Sequence, residues 1–317
     1  MTTATNSWHR SAPPLAILAL LVATAAAAAG EQAPWWQADA FERARTTVAL
    51  TNGVTLGYVD VGPRGGRPVV LIHGFTDNAA SWLPMAPYLD PRLRLILVDL
   101  RGHGRSGKPD CCYTRFDFAY DVRLLLDKLG IPAADVVGHS LGSIVAQSVA
   151  ELWPDRTRRV VLISSTGSSA AGCAAPAGEP AFDWAAFRRT VAGLKQPLDP
   201  DSPFMTDWFA SPGTVDAGFL RREKREAAAV PVAVWLAVVD QSMTGTDLQA
   251  SLPLLRAPVL LIWGDKDGIY GTLARCALRR ALPAATVEIF PDLGHNPFWE
   301  EPRAVAATVN RFLLGTP

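Results

Sequence analysis

A-D-V-V-G-H-S-L-G-S-I-V-A-Q-S-V-A-E-L, residues 134–152, is the stretch whose reading organises the chain. It begins as a short apolar strand at Val136 and Val137 and turns at Gly138-His139-Ser140-Leu141-Gly142. Beyond the turn, Leu141, Ile144, Val145, Val149 and Leu152 follow three-and-four spacing, which predicts one buried face of a helix. Ser140 therefore stands where a strand stops and a helix starts. So tight a turn needs small residues two before and two after the serine, and Gly138 and Gly142 supply them. The expected result is a hydroxyl thrust into a cleft, with the Leu141 amide and the positive end of the helix beside it. The pattern is G-x-S-x-G, a nucleophile elbow. A bare string of this kind also occurs as a plain glycine turn; strand before and helix after give it chemical meaning.

Working outward, strands and helices alternate on both sides. On the N-terminal side, alternating residues around Asn52-Gly53 predict a hairpin. Pro68-Val69-Val70-Leu71-Ile72 is a continuous apolar run, as expected of a strand buried on both faces, and it ends in His73-Gly74-Phe75-Thr76. The glycine lets backbone amides approach a ligand, which makes the Phe75 amide a candidate anion donor. A helix is expected over 79–89, then a strand over 95–98. The loop that follows, Asp99-Leu100-Arg101-Gly102-His103-Gly104-Arg105-Ser106-Gly107, lacks the ending of a phosphate-binding loop and reads as a rigid connection. A helix over 118–129 leads to the elbow, and Val160-Val161-Leu162-Ile163-Ser164 is the next strand.

The alternation then breaks. From about Thr166 some eighty-five residues carry no clear strand, and they hold Phe182, Trp184, Phe187, Phe204, Trp208, Phe209, Phe219 and Trp235. That is too long for a plain loop, and it reads as a helical cap inserted between two strands. Within it, the charged run at 221–226 reads as the solvated face of a helix. The sheet pattern resumes at 257–263, followed by Gly264-Asp265-Lys266-Asp267-Gly268, a helix over 272–282, a strand over 286–290, the loop Leu293-Gly294-His295-Asn296-Pro297 and a closing helix through Leu314. Strict alternation predicts an α/β architecture, a mostly parallel, doubly wound sheet with an inserted helical cap. The expected divisions are a signal peptide over 1–29, a linker over 30–45, core over 46–166 and 256–317, and cap over 167–255.

Composition bounds the rest. At 317 residues and 49% hydrophobic, the chain can bury a large core. Thirty basic and thirty acidic residues give no net charge, so no nucleic-acid partner is expected. Near the N-terminus, His9 and Arg10 precede an apolar run over 15–29 that ends in alanines with A-x-A cleavage sites. This is the plan of a secretory signal peptide, which predicts a periplasmic or secreted protein with no stable membrane span after cleavage. The alternative is an uncleaved membrane anchor, for which the run is short. Cys111, Cys112, Cys173 and Cys276 match no zinc pattern, no metal is expected, and their pairing is not legible from spacing.

A serine nucleophile needs a base, and the base an orienting carboxylate. Of five histidines, His9 falls in the exported segment, His73 belongs to the turn before Phe75, His103 to the glycine loop, and His139 flanks the serine without being able to fold back on it. His295, on a strand-end loop, remains. Asp265 and Asp267 compete for the third place: Asp265 suits closing its own turn, and Asp267 lies further out towards the next loop and is better placed. Open parallel sheets bind ligands beyond the carboxyl ends of their strands, where Phe75, Ser140, Asp267 and His295 all fall.

H-G-F at 73–75, D-L-R-G-H-G-R-S-G at 99–107, G-H-S-L-G at 138–142, W-G-D-K-D at 263–267 and G-H-N-P-F-W-E-E-P at 294–302 occur in that order. With these the chain resembles the α/β-hydrolase superfamily, in its cap-bearing serine esterase-like branch, over roughly 54–314 apart from the cap. The resemblance implies Ser140 as nucleophile, Asp267 as acid, His295 as base, and the Phe75 and Leu141 amides as oxyanion hole. Acyl transfer by such a triad needs no metal and no organic cofactor, and the cap aromatics predict neutral, apolar esters of small to medium size as substrates. Haloalkane dehalogenases and epoxide hydrolases carry aspartate at the elbow and are excluded by Ser140. Lactonases, C–C bond hydrolases, cofactor-free haloperoxidases and non-catalytic binding relatives share the motifs and stay open.

Overall fold

The computed structural model describes residues 1–2, 34–167, 172–244, 248 and 250–315. The expected signal segment therefore lies almost wholly outside the described residues.

Eight strands form one sheet in the order β1-β2-β4-β3-β5-β6-β7-β8. They are β1 (Thr46–Ala49), β2 (Thr55–Val61), β3 (Arg67–Ile72), β4 (Leu93–Asp99), β5 (Ala134–His139), β6 (Thr157–Ile163), β7 (Val259–Gly264) and β8 (Thr286–Phe290). The hairpin β1–β2 turns around Gly53, whose φ of 85° suits glycine, and the pairs β1–β2 and β2–β4 are antiparallel. From β4 through β8 every pairing is parallel. The central strands β5 and β7 are buried along their whole length, and β7 accordingly runs apolar without alternating.

Helices Arg115–Lys128 and Leu141–Leu152 pack on each other, and Pro302–Leu314 closes the chain. The first begins three residues before the expected helix, because Thr114 and Asp117 cap it reciprocally. The helix expected over 79–89 is absent as such. In its place are two short turns, Ala79–Trp82 and Ala86–Tyr88, because Pro84 and Pro87 lack the amides a continuous helix would use.

Between β6 and β7 lie the cap helices Trp184–Ala192, Pro203–Trp208, Ala217–Ala228 and Val232–Val238. Asp183, Ser202 and Asp216 start the first three by accepting a bond from the amide three residues on. The cap is tied to the core at several points. Ser242 Oγ donates to the Tyr113 carbonyl, Gln241 accepts from the Tyr113 amide, and Cys173 is bridged to Cys276 on helix Thr272–Ala281. Cys111 and Cys112 are unbridged. The charged run at 221–226 is not a wholly solvated face: Arg222 pairs with Glu42, and Glu223 is fully buried.

Candidate active site

The elbow is built by steric necessity. Ser140 holds φ 51° and ψ −119°, a conformation an L-residue adopts only under constraint. A Cβ on Gly138 would meet the Gly142 carbonyl oxygen at 2.1 Å, and one on Gly142 would meet the Ile72 carbonyl oxygen at 2.1 Å. The chain can turn this sharply here only with glycine at both places. Helix Leu141–Leu152 starts at the next residue, so the Leu141 amide has no helical acceptor and opens towards the serine.

His295 comes from the loop after β8 and Asp267 from the loop after β7. His295 Nδ1 and Asp267 Oδ1 lie 2.9 Å apart, and the same oxygen accepts from the amides of Ile269 and Tyr270 at 2.9 Å each. Burial alone would raise the Asp267 carboxyl; the charge and hydrogen bond of His295 and the two amides outweigh it and hold it at about 2. Asp267 is thus ionised and acceptor-only, so Nδ1 of His295 carries the proton and Nε2 is left bare. Asp265 has a different task from the one expected. Its Oδ1 accepts from the Asp292 amide at 2.7 Å, fastening the β8 loop to the β7 loop rather than closing its own turn.

Ser140, His295 and Phe75 line one cavity of about 310 Å³, within the usual size of a small-molecule site. The Phe75 amide has no hydrogen-bond partner among the described residues. The following residue, Thr76, holds φ 72°, which is strained for a β-branched side chain, and Trp208 of the cap donates to its hydroxyl at 3.0 Å. The cap therefore holds the loop that presents the Phe75 amide.

His73 and His103 stay outside this arrangement. His73 accepts from the Leu100 amide through Nε2 and donates through Nδ1 to the Gly74 carbonyl; burial holds it neutral, at about 4. His103 donates to the Arg101 carbonyl and burial brings it to about 3. The 99–107 loop is rigid because Asp99, fully buried, accepts from the Ala79 and Arg105 amides and pairs with Arg45. Among the described residues no group of three or more His, Cys, Asp or Glu side chains is arranged to hold a metal ion.

The family model for the alpha/beta hydrolase fold matches residues 67–302, from β3 to the helix after the His295 loop. The chain belongs to the α/β-hydrolase family. It is 32% identical over 254 residues, 78% of its own length, to the dihydrolipoyllysine-residue acetyltransferase component of the acetoin cleaving system of Pseudomonas putida, and spans 63% of that protein. Its fold is similar to that of a membrane phospholipase A described as a bacterial virulence factor (TM-score 0.72, 24% identity, 95% of this chain and 97% of the other). It is also similar to that of an esterase from Exiguobacterium antarcticum (TM-score 0.73, 18% identity, 85% and 99%).

Within this α/β-hydrolase, three cavity groups have no role assigned from the sequence. His139 Nε2 donates to the His295 carbonyl at 2.9 Å, steadying the loop that carries it, and burial brings His139 down to about 3. Asp77, two residues after Phe75, also lines the cavity. Lys266 lines it too, with its ammonium 3.5 Å from Asp265. The only signal in the sequence was their nearness to motif residues. Of the cap aromatics, Phe182, Trp208 and Phe209 line the cavity, whereas Trp235 is fully buried against Phe75, Phe204 and Trp208 and joins cap to core.

Proposed function

We infer that this α/β-hydrolase cleaves carboxylic esters of small to medium, apolar molecules through an acyl-serine. The observation that carries the reading is the 2.9 Å bond from His295 to an ionised Asp267, in the cavity where Ser140 sits strained at the elbow. Ser140 Oγ attacks the ester carbonyl carbon while Nε2 of His295 takes its proton, and Asp267 stabilises the imidazolium. The carbonyl oxygen becomes an oxyanion facing the Phe75 and Leu141 amides, each such donor being worth about 3 kcal/mol of barrier. Collapse expels the alkoxide, which takes the proton from His295. Water then enters; His295 removes its proton, hydroxide adds to the acyl carbon, and Ser140 leaves with that proton. The mouth of the cavity and its cap wall, with Phe182, Trp208 and Phe209, favour an apolar acyl chain.

The test is a p-nitrophenyl ester series of rising acyl length. Each methylene that enters the cavity adds about 0.8 kcal/mol of burial. kcat/KM is expected to climb with chain length until the cavity is full and then to fall. A flat series, or faster turnover of anionic esters, would refute the apolar acyl site.

The same reading extends to location: the protein is exported, with residues 1–29 removed. Supporting this are the apolar, alanine-ended run at 15–29 and the Cys173–Cys276 bridge, a bond suited to an oxidising compartment. N-terminal sequencing of the exported protein is expected to begin near Gly30 or Glu31. Met1 retained on a membrane-bound chain would instead mean an anchor.

A further inference from the structure

Asp77 stands in the catalytic cavity with no stated role. It is 5% exposed, and it lines the space shared by Ser140 and His295. Three elements close on it. From the end of β5, His139 Nδ1 faces its Oδ2 at 3.8 Å, beyond hydrogen-bond length, and has no partner among the described residues. From the loop after β8 comes His295, and from helix Ala217–Ala228 comes Glu223. Glu223 is wholly buried, and neither of its carboxyl oxygens has a hydrogen-bond partner among the described residues. Arg222, Glu226 and Arg45 act on Glu223 from behind, and Asp207 and Lys266 are the remaining charged side chains on the cavity wall.

No permanent cation faces Asp77 in this setting. His139 is held neutral by burial, and the Nδ1–H of His295 is donated to Asp267. Lys266 lies against Asp265. Burial and the Asp77 charge push the Glu223 carboxyl up, outweighing the opposing pull of Arg222 and Arg45, so this pair of carboxyls favours its neutral forms. A neutral carboxylic acid is a hydrogen-bond donor, and an ionised one is acceptor-only.

We propose that Asp77 is a substrate-contacting residue that sets the charge specificity of the site: as the neutral acid it donates a hydrogen bond to an oxygen of a bound neutral ester, and as the carboxylate it repels esters that carry a carboxylate. This rests on the serine-hydrolase reading above. It adds a polar donor beside the apolar cap wall, and so selects a substrate with an oxygen acceptor next to an apolar chain. It also makes the discrimination depend on pH. Burial pushes the Asp77 carboxyl up to about 7, against the opposing pull of His295. Below that value the acid is neutral and an anionic ester meets no like charge from it. Above it, Asp77 is negative and repels the anion.

The experiment compares p-nitrophenyl hexanoate with the p-nitrophenyl monoester of adipic acid, which has the same chain length and ends in a carboxylate. The ratio of their kcat/KM values removes any effect of pH on Ser140 and His295 that both substrates share. Between about pH 6 and about pH 8 the wild-type ratio is expected to rise about tenfold in favour of the hexanoate, the order expected of a like charge in a desolvated site. In Asp77→Asn, which cannot ionise, the ratio is expected to stay constant over that range. A flat wild-type ratio overturns the proposal whatever the variant does, and so does a rise that survives in Asp77→Asn. Stoichiometric labelling of Ser140 by an organophosphonate is measured on both proteins first. Its failure in the wild type would refute the serine mechanism, and its success leaves the ratio to judge Asp77 alone.

Discussion

Ser140→Ala is expected to reduce hydrolysis of p-nitrophenyl esters by at least about 10⁴-fold, with the folded state intact. The magnitude follows from the way nucleophile and base act as a unit: without the hydroxyl, neither His295 nor the oxyanion amides have a tetrahedral intermediate to act on. Alanine loses only one oxygen, and the strain at the elbow comes from the backbone, which the glycines at 138 and 142 permit in either variant. Circular dichroism and thermal melting are therefore expected to change little. In the wild type an organophosphonate is expected to label Ser140 and no other serine, read by mass spectrometry of the modified peptide. Label elsewhere, or activity surviving in Ser140→Ala, would remove the serine from its assigned role.

The second large effect separates two carboxylates on one loop. Asp267→Asn is expected to lower kcat by about 10⁴-fold, and Asp265→Asn by less than about tenfold. Asparagine at 267 keeps the size of the side chain but replaces an ionised acceptor with an amide. Its NH₂ can turn towards Nδ1 of His295 and favour the tautomer with the proton on Nε2, where the base is needed. It also withdraws the negative charge that stabilises the imidazolium. Asp265 bonds the Asp292 amide through one oxygen, and asparagine retains an oxygen for that bond. Steady-state kinetics on the two variants, with ester saturating, decides the matter. Equal losses, or the larger loss at 265, would show that Asp267 is not the carboxylate that orients His295.

Much of this site could be read locally. Gly138 and Gly142 are required by close contacts between neighbouring segments, and such contacts leave a signature of a few residues. The same holds for Asn52-Gly53 at the hairpin and for the unbroken apolar strand β7. The helix expected over 79–89 is broken for a reason also written locally: Pro84 and Pro87 interrupt it. Asp265 shows a different kind of miss. Its preference for a turn was legible, but the amide it binds belongs to Asp292 on the next loop. The charged neighbours of Glu223 predict a solvated face, whereas its burial depends on what the cap helix packs against.

By itself, the sequence determined the alternation of strands and helices, the elbow at Ser140 and the short set of residues from which a base and an acid had to come. Periodic burial and tight-turn sterics act over a few residues, and so they survive in the order of the chain. Tertiary structure alone decided which groups separated in sequence meet. It joined His295 to Asp267, tied Trp208 to Thr76, bridged Cys173 to Cys276, and set Asp77 and Glu223 within each other's field. These depend on how the sheet twists and where the cap settles. A carboxyl's charge state is then fixed by which partners burial leaves beside it, and no neighbour in sequence reports that.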